Sequence, residues 1–316
     1  MNTDKIENME NMTTVAVVQA TPVLFDRVAT IEKVDKWVKK ASEQGAQLLL
    51  FPEAFIPAYP RGMGFGAVVG SRSLEGRKQW QRYYEQSLAI PGPGVDALAE
   101  IAGRHQVFLA IGVIEREARG GTLYCTLLYF GPDGRLLGKH RKLKPTGSER
   151  LIWGEGDGSS LTTLDTNIGR IGGLICWENY MPLARMAMYQ QGVQIYLAPT
   201  ADARDSWESS MVHIACEGRC FVLSCNQYVQ KSDYPKAYKA ELKGWPDIMS
   251  RGGSMIVSPL GEVLAGPLYD QEGILYADID VGETIRGKMD FDVVGHYGRP
   301  DVFRFEVNGM PEILSV

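Results

Sequence analysis

Hydrophobic positions along the chain alternate between two patterns, short unbroken apolar runs and longer stretches with an apolar residue every third or fourth place. Val15 to Gln19 is a β-branched run and predicts a buried strand. From Asp26 to Gly45, Ile31, Val34, Val38 and Ala41 keep one helical face apolar while Glu32, Lys33, Lys36 and Lys39 wet the other. Asp26 is placed to cap that helix and Gly45 to end it. Gln47 to Phe51 is a second strand, stopped by Pro52. Strand, helix and strand with short joints make a βαβ unit, so these two strands are expected to run parallel.

The periodicity lapses from Ala54 to Gly76, where Gly62, Gly64, Gly66 and Gly70 give freedom and Phe55, Tyr59 and Phe65 give apolar surface. A long loop of this kind inside a compact unit is often functional. Helices are expected over Lys78–Leu88 and Gly94–His105, then strands over Val107–Glu115 and Leu123–Phe130. Gly131-Pro-Asp-Gly134 makes a turn from which Arg135–Leu143 returns as a hairpin partner. The second half repeats the theme: strand Ile168–Cys176, helix Leu183–Gln191, strand Val193–Pro199, helix Trp207–Arg219 and strand Phe221–Asn226. Ser254–Ser258 and Glu262–Ala265 flank a Pro-Leu-Gly turn, Gly273–Asp280 is one more strand, and Gly282–Lys288 looks helical. The tail beyond Phe291 has no period and reads as a loop or an arm. With no Ser/Gly-rich linker and no break in composition, residues 1–316 are read as one α/β layered domain, its core about 14–290 and its arm about 291–316.

Composition narrows the function. Hydrophobic residues are 45% of the chain, enough for a substantial core. The net charge of −5 argues against a nucleic-acid groove, which needs a concentrated basic surface. Arg135, Lys139, Arg141, Lys142 and Lys144 form a basic run of the kind that usually wets one strand edge. Five cysteines (125, 176, 216, 220 and 225) show no disulfide-framework spacing, and the four histidines (105, 140, 213 and 296) are scattered, so no metal site is expected. Met1 to Thr14 is polar without an apolar signal region, and no run approaches a membrane span. The expectation is a soluble, cytoplasmic protein with no membrane or nucleic-acid partner.

Three reactive residues fall at comparable places. Glu53 follows the strand Leu48–Phe51, Lys142 sits late in the strand from Arg135, and Cys176 ends the run Ile171–Ile175. Ligand sites in α/β sheets gather at the carboxyl ends of strands. Taken singly, each has an ordinary explanation: a solvated loop carboxylate, a surface charge and a small buried hydrophobe. Together an acid, an amine and a thiol suit nucleophilic catalysis with proton transfer. The thiolate is the reactive form, and a nearby ammonium is expected to lower the thiol pKa by about two units, roughly 2.7 kcal/mol. Backbone N–H groups after Cys176 are placed to polarise a developing anion.

The chain resembles the nitrilase superfamily of carbon–nitrogen hydrolases, and within it the true nitrilases. The stretches that carry the resemblance are Phe51-Pro-Glu53-Ala-Phe55, His140-Arg-Lys142 through Glu149 and Trp153 to Gly158, and Gly172-Gly-Leu-Ile-Cys176-Trp-Glu-Asn-Tyr-Met-Pro182. Ala198-Pro-Thr-Ala-Asp202, His213 to Arg219 and Asp290 to Pro300 add to it, so that it spans about Thr14 to Phe305. The resemblance implies a four-layer α-β-β-α sandwich and a Glu-Lys-Cys triad: Cys176 as nucleophile, Glu53 as general base, and Lys142 stabilising the tetrahedral intermediate and handling protons. It implies further that Glu149 is a second glutamate beside the triad, that the Trp177 N–H completes the anion site, and that Tyr59 and Trp153 line the substrate pocket. Lys144 lies in the same loop, and the motif favours Lys142.

The activity so implied is hydrolysis of an organic nitrile by water to a carboxylic acid and ammonia, through a covalent thioimidate and thioester, without cofactor or metal. The aromatic residues Tyr59, Phe65, Trp153 and Trp177 suggest an aromatic or arylaliphatic nitrile. Self-association into dimers and spiral oligomers is also implied. The alternative within the superfamily is an aliphatic amidase or carbamoylase; Cys176-Trp177-Glu178 resembles the nitrilase branch. Outside it stand a Cys-His hydrolase using His140, His213 or His296, and a filament-forming scaffold with an inert thiol.

Overall fold

The computed structural model describes residues 12–238 and 240–309. The first half of the chain runs β1 (Met12–Gln19), α1 (Arg27–Ser42), β2 (Leu48–Leu50), a small hairpin of β3 (Ala67–Val68) and β4 (Ser71–Arg72), and α2 (Leu74–Gln86). It continues through β5 (Leu88–Ala89), α3 (Pro93–His105), β6 (Phe108–Arg116), β7 (Leu123–Phe130) and β8 (Leu136–Arg141). The second half runs β9 (Leu164–Thr166), β10 (Gly169–Gly173), α4 (Pro182–Gln190), β11 (Ile195–Pro199), α5 (Asp205–Gly218) and β12 (Phe221–Cys225). Then come β13 (Tyr228–Gln230), β14 (Ile248–Val257), β15 (Val263–Tyr269), β16 (Gly273–Asp280) and α6 (Gly282–Gly287).

These elements build two seven-stranded sheets packed face to face. One has the order β16-β1-β2-β6-β7-β8 with β5 on β6, the other β13-β14-β12-β11-β10-β9 with β15 on β14. Val15, Val17, Leu48, Leu50 and Ala110 of the first sheet meet Ile171, Ile195, Leu197, Phe221 and Leu223 of the second in a central core. The alternate residues Ala16, Val18, Leu49, Leu109 and Ile111 face α1 and α3, and Tyr196, Ala198 and Val222 face α4 and α5. The result is the expected four-layer α-β-β-α sandwich. Strands buried on both faces have no polar side to alternate with, which is why they read as unbroken apolar runs. Leu48, Leu49 and Leu50 are all buried, and at about 1.5–3 kcal/mol each their packing outweighs the few ladder bonds of so short a strand.

The expected βαβ unit is present: β1 and β2 pair in parallel, and the Asp26 side chain accepts the Ala29 N–H at 3.0 Å. Gly45 does not end α1. The helix closes on Glu43, and Gly45 at φ 85° turns the chain toward β2. α2 starts at Leu74 rather than Lys78, because Ser73 caps it by accepting the Gly76 N–H at 3.0 Å. β14 begins at Ile248, well before Ser254. Gly252 and Gly253, at φ 88° and 102°, shift its register and hid the strand from the alternation rule. The short β13, three residues long, carries no readable period either. Beyond Phe291 the tail is irregular, and Val293, Val294, Phe305 and Val307 pack onto the layer of α4 and α5. Residues 310–316 of the expected arm lie outside the described residues. Among the described residues no helix is long and apolar enough to cross a membrane.

Candidate active site

Parallel pairing of β1, β2 and β6, and of β10, β11 and β12, aligns the carboxyl ends of strands within each sheet. Glu53 stands just past β2, Lys142 one residue past β8, and Cys176 three residues past β10. Glu53 is set by a close approach. A Cβ at Gly112 of β6 would lie 2.3 Å from the Pro52 carbonyl and 2.6 Å from Glu53 Cα, so only glycine lets the turn sit there. The Gly112 N–H fixes it by donating to that carbonyl at 3.1 Å.

Glu53 and Lys142 are both fully buried, and Lys142 Nζ donates to Glu53 Oε1 at 2.7 Å and to Glu149 Oε2 at 2.8 Å. Glu149 is held in turn by the Tyr59 hydroxyl (2.6 Å to Oε1) and the Thr146 N–H (2.7 Å to Oε2). Trp153 stands edge-on to Tyr59 and carries the Lys142 ammonium 5.9 Å from its ring centre. Cys125, buried on β7, points its thiol at Glu53 Oε1 across 3.6 Å, and Gln227 Nε2 donates to the Glu53 carbonyl at 2.8 Å. The second carboxylate oxygen, Glu53 Oε2, is buried with no hydrogen-bond partner. Buried oxygens of this kind are rare and call for a reason.

The Cys176 thiol faces Glu53. Cys176 opens a 3₁₀ turn that leads into α4, and its φ of 51° is a left-handed conformation that costs a non-glycine residue about 1–3 kcal/mol. Two buried side chains hold that strain. Glu178 accepts the Ile175 N–H (2.7 Å) just before the thiol and the Leu143 N–H (2.6 Å) just after Lys142, so one carboxylate ties the two strand ends together. His140 supports it, with Nε2 3.0 Å from Glu178 Oε2 and Nδ1 3.1 Å from Ser160 Oγ. Asn179 Nδ2 donates to the carbonyls of Leu174 (3.0 Å) and Cys176 (2.8 Å), and its own oxygen accepts the Tyr196 hydroxyl at 2.7 Å.

Electrostatics correct one expectation. The thiol pKa is not lowered: burial pushes it up, the carboxylates of Glu53 and Glu149 add to that, and Lys142 and the Thr200 hydroxyl only partly oppose. Lys142 is already committed to two carboxylates. Burial also raises the Glu53 pKa against the pull of Lys142. Burial disfavours the Lys142 charge as well, but Glu53, Cys176 and Glu149 outweigh it and hold the ammonium well above its usual range. Two carboxylates and one ammonium leave this closed cluster at −1 with the thiol neutral. Passing a proton from thiol to carboxylate keeps that total, whereas losing it to solvent would make −2. The arrangement therefore favours internal proton transfer over a standing thiolate.

Of the residues singled out in the sequence, Glu53, Lys142, Glu149, Cys176, Tyr59 and Trp153 come together. Trp177 follows the thiol directly, and the role expected of it lies on its backbone N–H; the residue is 39% exposed, and its indole donates to Asp202 Oδ2 at 2.8 Å and lies under the Arg204 guanidinium. Lys144 is exposed and paired with Glu155. The remaining basic run is a strand edge, with Lys139 and Arg141 on Glu115. His213 and His296 are exposed, and His140 is engaged with Glu178 and Ser160 rather than with the thiol. Cys125, Glu178, Asn179 and Thr200 join the site without having stood out in the sequence. A carboxylate two residues after a thiol, inside an apolar turn, was the available sign for Glu178. Among the described residues no group of three or more His, Cys, Asp or Glu side chains gathers as metal ligands would.

The model of the carbon–nitrogen hydrolase family matches residues 14–288. A bifunctional nitrilase/nitrile hydratase of Lupinus angustifolius is 52% identical over 301 residues, covering 93% of this chain and 86% of that protein. An aliphatic nitrilase of Sinorhizobium fredii is 53% identical over 302 residues, covering 95% and 97%. The crystal structure of a carbon–nitrogen hydrolase from Helicobacter pylori G27 superposes with a TM-score of 0.73 at 22% identity, covering 93% and 97%, a likeness of fold.

Proposed function

The chain belongs to the carbon–nitrogen hydrolase family, among its nitrilases, and from that membership we propose that it converts an aromatic or arylaliphatic nitrile to the carboxylic acid and ammonia, with Cys176 as nucleophile. One observation carries the reading. A buried carboxylate, Glu53, spends one oxygen on Lys142 and Cys125, keeps the other unbonded, and faces a thiol held in a strained turn.

In the first step the Cys176 proton passes to Glu53 Oε2 while sulfur adds to the nitrile carbon. Glu53 hands that proton to the nitrile nitrogen, and the product is a thioimidate. Lys142 stays charged and stabilises the developing negative charge, a role its raised pKa favours. Glu53 then removes a proton from water, whose oxygen bonds to the thioimidate carbon. Glu53 passes the water proton to nitrogen, the added hydroxyl gives up the second proton as its C=O bond forms, and the C–N bond breaks to release ammonia and leave a thioester. A second water adds in the same way, the C–S bond breaks with its electron pair on sulfur, and the thiol is regenerated. Two waters are consumed and one ammonia is released. A positioned acid–base group contributes about 10²–10⁴-fold to such transfers. Glu149 holds Lys142 and Tyr59 in register and completes the charge balance.

Tyr59 and Trp153, packed edge to face beside Lys142, support an apolar wall for an aryl or arylalkyl group. Tyr180, Met181 and Leu183, exposed just after the nucleophile turn, support self-association through that face. Ammonia release from phenylacetonitrile, benzonitrile, an aliphatic dinitrile and the matching amides tests the reading. Release from the aryl nitriles, and none from the folded Cys176→Ala variant, is expected. Turnover by Cys176→Ala within tenfold of the parent removes the covalent mechanism. Release from amides alone moves the enzyme to the amidase branch, and preference for the dinitrile overturns the aromatic pocket.

A further inference from the structure

The sulfur of Cys176 has a neighbour outside the Glu53–Lys142–Glu149 cluster. Thr200, one residue past β11, is fully buried and its hydroxyl lies 3.2 Å from Cys176 Sγ. Thr200 Oγ1 also accepts the Asp202 N–H at 2.9 Å. A threonine hydroxyl carries one proton and two lone pairs; one lone pair takes the Asp202 N–H, and among the described residues the acceptor found for the proton is the sulfur. The loop that presents it is anchored on three sides. The Thr200 N–H donates to the Cys225 carbonyl at 2.8 Å, Asn226 Nδ2 donates to the Asp202 carbonyl at 2.8 Å, and Trp177 Nε1 donates to Asp202 Oδ2 at 2.8 Å. The donor is thus fixed both to β12 and to the residue that follows the nucleophile.

We propose that Thr200 is a further catalytic residue: its hydroxyl donates to the Cys176 sulfur, holds the thiol in line for attack, and stabilises the charge on sulfur each time it appears. The inference deepens the nitrile-hydrolase reading and rests on Cys176 being its nucleophile. Charge appears on sulfur twice. When the thiol proton moves to Glu53, the sulfur electron pair is exposed before it forms the bond to the nitrile carbon. When the thioester breaks, the electron pair of the C–S bond returns to sulfur before Glu53 gives the proton back. A donor to sulfur weakens its nucleophilicity only in part, because attack rates follow basicity with a slope of about 0.4–0.5, and it speeds departure. Both halves of the reaction gain.

The charged groups around the sulfur are Glu53, Lys142 and Glu149, with the Cys125 thiol on Glu53 Oε1 and Tyr59 and Arg204 beyond. None of them changes in Thr200→Val, which keeps the branched shape and removes the hydroxyl, or in Thr200→Ser, which keeps the hydroxyl. The full-length protein and both variants are compared in the rate of Cys176 alkylation by iodoacetamide across pH, with Cys176→Ala subtracting the other four thiols. The kcat and KM for a nitrile are read alongside. Loss of one hydrogen bond to a charged sulfur is expected to slow neutral-pH alkylation about tenfold and to move its pH profile upward. The kcat should fall by about the same factor with KM little changed, and Thr200→Ser should restore both. If Thr200→Val does not fold, Thr200→Ala against Thr200→Ser gives the same contrast. A parental alkylation profile in Thr200→Val, or a serine variant no better than valine, overturns the proposal. Failure of the nitrile reading looks different: no nitrile releases ammonia from the parent, while the alkylation contrast between valine and serine persists.

Discussion

Two buried glutamates meet cations from the same short stretch of chain, and they are built in opposite ways. Glu115, on β6, is 2% exposed and saturated: Lys139 and Arg141 donate to Oε1, both at 2.6 Å, while Thr126 and Arg141 Nε donate to Oε2 at 2.9 and 3.0 Å. Burial works against its charge, yet the Arg141 and Lys139 hydrogen bonds outweigh it and its pKa lies below the usual range. Glu53 has Lys142, the weak Cys125 donor and one bare oxygen, and its pKa lies above. The cations on Glu115 reach solvent, whereas Lys142 does not. A carboxylate with every lone pair bonded serves the fold. One left short of donors in a dry site holds its proton affinity in reserve.

The sharpest way to break this contrast is the same change at both positions. Glu53→Gln should lower kcat by about 10²–10⁴-fold, because an amide cannot take the thiol proton. Glu115→Gln should leave kcat within a few-fold and cost about 1–3 kcal/mol, read from urea midpoints, since two cations and a hydroxyl lose a full acceptor. Glu53→Gln should cost less stability than that although Glu53 is the more buried, because Lys142 keeps Glu149. A reversed order of the two stability losses would mean that buried ion pairing, and not reactivity, sets the design of Glu53.

The cations separate next. Lys142→Arg should lose at least about 100-fold in kcat, since a planar fork cannot replace a compact ammonium between Glu53 and Glu149 in a sealed space. Lys139→Arg, at a partly exposed side chain, should change stability by less than about 1 kcal/mol and leave turnover unaltered. Normal rates in Lys142→Arg would return the role to a neighbour such as Lys144.

Lys142 and Lys144 also mark how far sequence goes. Both sit in His140–Lys144 with similar neighbours, yet one is sealed and the other pairs with Glu155 at the surface. Depth of that kind is set by the opposite sheet, through Glu178 reaching Leu143, and no local pattern encodes it. Double-sided strands were legible because both faces must be apolar, and so were the βαβ unit and the strand-end placement of Glu53 and Cys176. The glycine bulge at 252–253 concealed most of β14 because it broke the period on which the reading relied. Thr200 was written in plain view within Ala198–Asp202. A lone hydroxyl carries no spacing signal, and its meaning appears only with the sulfur 3.2 Å away.

Acid unfolding gives the smallest and most specific contrast. Glu115, with its pKa depressed in the fold, contributes stability that is full above the ordinary glutamate pKa of about 4.3 and is lost as pH falls through the depressed value. Glu53 has the opposite sign: the fold favours its neutral acid, so its contribution rises as pH falls below its raised value. Urea midpoints followed from about pH 7 to about pH 3 should therefore fall less steeply in Glu115→Gln than in the parent, and more steeply in Glu53→Gln. Slopes that move the same way in both variants would show that the bare oxygen of Glu53 leaves no mark on its titration, and the two carboxylates would then differ in position alone.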